Sequence, residues 1–108
     1  MNIGIVTINE KGYHPNRRLL EAAAARGIRA TLVHPYRSWP AVIDGQLRFA
    51  GRTLAVDLLL PRQGAEIGDS SLSFLEQAAQ TGACIVNGPE GIRLAASKYR
   101  TCRELARA

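Results

Sequence analysis

Long apolar runs are missing from this 108-residue chain: none exceeds about seven residues, whereas a helix needs roughly 20 to span a bilayer. A soluble protein without a membrane partner is expected. The opening MNIGIVTINE has neither the basic lead nor the small-residue cleavage site of a targeting peptide, so a cytoplasmic location is expected by default. Cysteine is scarce. Cys84 and Cys102 form no CxxC pair and have no histidine nearby, which excludes a zinc spacing and a disulfide framework. Both are read as reduced thiols, Cys84 in the core within the run ACIV and Cys102 on the apolar side of a helix. Aromatic residues make up 6% of the chain, too few for extended base stacking. There are 14 basic against 9 acidic residues, but only Arg17 and Arg18 are adjacent. So scattered a charge reads as a solvated surface and disfavours a nucleic-acid partner.

What is present alternates between strand and helix patterns. Residues Asn2 to Ile8 (NIGIVTI) are too apolar for a one-sided strand and fit a central strand covered on both faces. Asn16 is read as the cap of a helix with Leu19, Leu20, Ala23 and Ala24 at helical spacing, closed by Gly27. The strand Arg29 to Val33 follows, ending at His34-Pro35, so the first 35 residues form a β-α-β unit with a right-handed crossover. Asp44-Gly45 between AVI and QLRF signals a hairpin, and Ala50-Gly51-Arg52 a second turn, giving a small inserted meander. Val56 to Leu60 is another buried strand. A helix carrying Leu72, Leu75, Ala78 and Ala79 then ends at Gly82, and Ala83 to Val86 form a fourth core strand. Pro89 opens a short helix, and Ser97 is placed to cap a last one whose Arg100, Arg103 and Arg107 oppose Tyr99, Cys102 and Ala106. The expected fold is a three-layer α/β/α domain over residues 1–108, with a mainly parallel, Rossmann-like sheet of about four core strands plus the hairpin.

In such sheets ligands bind beyond the carboxyl ends of the strands. The residues there are the loop Asn9 to Asn16, His34, Arg62-Gln63-Gly64 and Asn87-Gly88-Pro89. The first loop, NEKGYHPN, holds one glycine and no GxGxxG, which argues against a dinucleotide; a GxxxxGK[ST] phosphate loop is also missing. The third core strand ends in arginine, which excludes the acidic metal pocket of a phospho-receiver. Arg62 calls for an anion or water, since an unpaired buried guanidinium is costly. It either faces a carboxylate or phosphate, with Gly64 permitting close approach, or bridges to Glu66 or Asp69. Asn87 is a ligand contact or simply a cap, and His14 and His34 are read as surface or capping residues. Lys98 stands in a first turn whose free N–H groups attract anions, so it is either a phosphate neighbour or a solvated lysine.

Several segments together resemble the N-terminal, pre-ATP-grasp domain of RimK-type ligases. These are RRLLEAAAARG (Arg17 to Gly27), FAGRTL (Phe49 to Leu54), VDLLLPRQG (Val56 to Gly64), Val86-Asn87 and SKYRTCRELA (Ser97 to Ala106). Three departures stand out: His34 where the family usually has aspartate before proline, Ser97 for the aspartate before lysine, and AEIGDSS after Gly64 in place of an aromatic segment. The resemblance implies an ATP-dependent ligase that joins glutamate or a similar amino acid to a carboxylate. It makes Lys98 the candidate nucleotide contact and Arg62, Gly64 and Asn87 candidate substrate-binding residues, with no catalytic or metal-ligating residue in this chain. ATP and Mg2+ are the implied cofactors of the full-length protein, not held tightly by this part alone. The implied partners are ATP-grasp domains of the same polypeptide, an amino acid, a carboxylate acceptor and a further copy of the chain. The run at Ala108 lacks a helix stop and is expected to continue into those domains. From the residues alone, a stand-alone basic binding or dimerisation module is the alternative.

Overall fold

The structure is a computed structural model that describes residues 1–37, 41–49, 52–53, 55–62 and 68–108. In chain order its elements are β1 (Asn2–Val6), α1 (His14–Ala25), β2 (Arg29–Val33), β3 (Ala41–Ile43), β4 (Gln46–Phe49) and β5 (Arg52–Thr53). They continue with β6 (Leu58–Pro61), α2 (Asp69–Gln80), β7 (Cys84–Ile85), α3 (Pro89–Ala95) and α4 (Lys98–Arg107). Four strands form a parallel sheet in the order β2-β1-β6-β7. Its register sets Ile3 between Ala30 and Leu58, and Val6 between Val33 and Pro61. The fold is the α/β class expected, with β1 internal as its apolar run implies.

Side chains alternate across the strands, so Val6, Val33 and Leu59 share one face. There they meet Phe74, Leu75 and Ala78 of α2 and Leu47 of β4 in one buried cluster. Each fully buried valine, leucine or phenylalanine contributes about 1.5–3 kcal/mol. Gly4 lies on the same face. A Cβ there would stand 2.8 Å from Leu59 Cδ2, so the missing side chain is what lets Leu59 settle onto the sheet. The step from β1 to β2 runs opposite to the step from β6 to β7, and right-handed crossovers therefore set α1 and α2 on opposite faces.

The inserted segment is an antiparallel sheet, β3-β4-β5. Asp44 and Gly45 have φ of 52° and 73°, the pair of positive values that a two-residue hairpin turn requires. The second expected turn, at Ala50 and Gly51, lies outside the described residues. Leu47 fastens this meander to α2, while Arg48 has its Nε buried with no partner among the described residues.

Two readings of the sequence are corrected. Asn16 is not the cap of α1: the helix begins at His14 with Tyr13 in the cap position and Pro15 in the first turn, where its fixed φ already suits a helix. Cys84 is exposed, because it lies on a two-residue edge strand with a neighbour on one side only, and so does not belong to the core. Cys102 is exposed too. No residue of α4 is buried, and Tyr99 is 78% exposed, so the apolar side of that helix meets solvent here. The expected cap by Ser97 is present, its Oγ accepting from the Arg100 N–H at 3.2 Å.

Candidate functional site

The connections diverge from β1 and β6, and their carboxyl ends flank the point where a parallel sheet of this kind opens a crevice. Backbone bonds carry the ladder up to this rim: Arg62 N–H donates to the Val6 carbonyl at 2.8 Å, Thr7 N–H to Val33 at 3.0 Å, and Val86 N–H to Leu59 at 3.0 Å. Thr7 and Arg62 thus leave adjacent strands at the same level. Arg62 is exposed, and its guanidinium has no ion-pair partner among the described residues. A bridge to Asp69 is not formed, while Glu66 and Gly64 lie outside the described residues.

Asn87 follows β7 at the same end of the sheet, exposed and joined to Val86 by a cis peptide. Lys98 is exposed at the start of α4. The seven residues of α3 intervene, about 10 Å of helix at 1.5 Å per residue. Arg62 and Asn87 therefore share the rim through β6 and β7, whereas Lys98 follows α3 at the start of α4. No hydrogen bond joins any two of the three among the described residues.

The best-organised part of the rim is the loop Asn9 to Asn16 with His34, which the sequence placed at the strand ends but assigned no ligand role. Asn16, 1% exposed, turns inward from the first turn of α1. Its Nδ2 donates to the carbonyls of Asn9 at 3.0 Å and Glu10 at 3.2 Å, with a longer contact of 3.4 Å to Thr7 Oγ1. Thr7 Oγ1 also accepts from the Asn9 N–H at 3.2 Å. The loop after β1 is fixed by these bonds. Across from it, His34 Nδ1 accepts the N–H groups of Tyr36 and Arg37, each at 3.1 Å, and so caps a turn, one of the two roles expected for it. An acceptor at Nδ1 places the ring hydrogen on Nε2. Partial burial, and then the charge of Arg37, hold the imidazole pKa below its ordinary value, against a smaller opposing backbone hydrogen bond.

Between the two loops lies an open cavity of about 510 Å³, lined by residues of both and floored by Leu32. Arg37 reaches across to Glu10 at 3.7 Å. A second cavity, about 320 Å³, sits at the opposite end of the strands beside Asp57 and Ala83. Among the described residues no group of three or more His, Cys, Asp or Glu is placed to hold a metal. Among the described residues no helix is long and apolar enough to cross a membrane. The signals for the cavity were a threonine ending an apolar strand and a histidine before proline, and both resemble ordinary turn chemistry.

No protein-family model matches the chain. It is 32% identical over 99% of its length to a "Probable alpha-L-glutamate ligase" of Halorhodospira halophila. It is 33% identical over 98% of its length to a protein of the same name from Stenotrophomonas maltophilia. The chain spans 36% and 37% of those relatives. A solved structure described as a RimK domain protein ATP-grasp, from Sphaerobacter thermophilus, superposes with a TM-score of 0.73 at 25% identity, covering 98% of this chain and 37% of that one. Over nearly its whole length the chain is thus similar, in sequence to proteins named probable alpha-L-glutamate ligase and in fold to a RimK-type ATP-grasp protein, of whose length it represents little more than a third.

Proposed function

We propose that residues 1–108 are the N-terminal, pre-ATP-grasp domain of a cytoplasmic carboxylate–amine ligase and form one wall of its nucleotide and substrate cleft. The end-to-end match to named glutamate ligases carries this reading. In the complete enzyme the γ-phosphoryl group of ATP passes to a carboxylate oxygen with release of ADP, and an amine then attacks the acyl carbon and expels phosphate. Charge on the phosphates would be neutralised by magnesium held by residues of the ATP-grasp domains, not by residues of this chain. This chain supplies neither nucleophile nor base.

Its contribution is binding. Lys98 is the nucleotide contact. Its charge opposes the positive end of the α4 dipole, a position worse for a cation by about 0.3–1 kcal/mol, and a bound phosphate beside it reverses that sign. Arg62, exposed at the crevice without a described partner, holds the substrate carboxylate, with Gly64 allowing close approach and Asn87 offering its amide. Glutamate or a similar amino acid is the donor, and a protein or small-molecule carboxylate the acceptor.

The test is steady-state kinetics of the ATP-grasp polypeptide that contains this domain. Lys98→Ala should raise the KM for ATP while kcat changes little, because a ground-state phosphate contact is lost. An unchanged KM for ATP would remove Lys98 from the site.

A further inference from the structure

We infer that the cavity between the β1–α1 loop and the turn after β2 is a binding subsite for a small monocarboxylate, separate from Arg62. The inference rests on the ligase reading only in assigning this carboxylate to a substrate; the anion preference comes from the side chains. Four donors converge on the cavity. Thr7, 2% exposed, already accepts two hydrogen bonds at Oγ1, and its own hydrogen has no described acceptor. That hydrogen is the one part of the hydroxyl left to donate. His34 lines the cavity, and with Nδ1 accepting two N–H groups its remaining donor is Nε2–H. Lys11 lines the cavity with no described partner, and Arg37 completes the set.

The charge count selects the ligand. Two cations, Lys11 and Arg37, face one carboxylate, Glu10, so the cavity carries one net positive charge and matches a single negative charge better than a dianionic phosphate. Glu10 does not close the site: its pair with Arg37 spans 3.7 Å between side chains 85% and 70% exposed, a geometry that yields readily to a competing carboxylate. Leu32 gives the ligand an apolar surface beneath the charged group. A pinned loop on one side and a capped turn on the other hold the Thr7 and His34 donors in place before binding, which lowers the cost of ordering.

A carboxylate of this size belongs either to a free amino acid or to the C-terminus of a polypeptide, and the experiment separates them. The 15N-labelled 108-residue chain is titrated with acetate, with L-glutamate and with an N-acetylated peptide ending in glutamate, using sodium chloride as the ionic-strength control. Acetate should move the amides of Thr7 to Gly12 and His34 to Arg37. The larger probe that binds more tightly identifies the source. Arg37→Ala and Lys11→Ala, both at exposed positions, should each weaken binding at least fivefold while the spectrum stays dispersed. Equal shifts with chloride, or shifts spread over Arg100, Arg103 and Arg107, would overturn the site. Shifts confined to Arg62 and Asn87 would also overturn it and leave the ligase reading intact. Carboxylate binding here in a polypeptide that never turns over ATP would do the reverse.

Discussion

Replacing Asn16 by alanine removes the side chain that ties the first strand-end loop to α1, and the structure sets the size of the effect. Its amide has two hydrogens, spent mainly on the carbonyls of Asn9 and Glu10 at 3.0 and 3.2 Å. Each bond is worth about 0.5–1.5 kcal/mol net, and a carbonyl left dry costs about 1–3 kcal/mol. Asn9 is only half-buried and Glu10 is exposed, so water can reach their carbonyls and the cost falls toward the lower end. About 2–3 kcal/mol is expected in urea unfolding with an unchanged m-value, and a fall in Tm of about 10 °C or more for a domain of this size. Asn16→Asp discriminates further. A carboxylate aimed at two carbonyl oxygens has no hydrogen to give, so this variant should be worse than alanine at neutral pH and recover as acid protonates it. A loss below about 0.5 kcal/mol for Asn16→Ala would refute the view that this amide organises the loop.

Three other perturbations follow from the same geometry. Because the folded-state pKa of His34 lies below the ordinary value, its contribution to stability is complete above about pH 6.5 and is lost as pH falls through the lowered value. His34→Asp, which keeps an acceptor, should flatten that part of the stability profile measured by thermal melts. Gly4→Ala would press a Cβ to within 2.8 Å of Leu59 Cδ2, and Leu59 is fully buried with nowhere to swing, so chemical denaturation should show a loss of about 1–3 kcal/mol. Ser97→Ala removes the cap of α4 at a cost of about 1 kcal/mol. Since no residue of that helix is buried, the effect should appear as faster amide exchange at Thr101 and Cys102 more than as a lower global stability.

The elements were legible because each is specified locally: the β-branched run of β1, the Asp44-Gly45 turn, Ser97 before α4. Burial was less so. Cys84 reads as core in the string ACIV, and only the sheet order reveals that its strand lies at the edge. Periodicity likewise gives α4 an apolar side without saying whether anything covers it, and Tyr99 is left in solvent. Asn16 shows the same limit at one residue: Ser, Asp or Asn before an apolar helix normally signals a cap, but here the helix starts two residues earlier at His14, and the Asn16 amide is free to reach back. Arg62 was legible as a strand-end cation, whereas the joining of the Thr7 and His34 loops around one cavity depends on β1 and β2 being neighbours, a tertiary fact.

The central claim is that this domain serves an ATP-grasp ligase, and the most direct test follows ADP release and product mass for the polypeptide in which it is joined to ATP-grasp domains. Multiple-turnover ADP release should require ATP, magnesium, an amino acid and a carboxylate acceptor together, and the product should be heavier by one amino-acid residue. ADP release indifferent to the acceptor, or ligation by residues 1–108 alone, would contradict the claim.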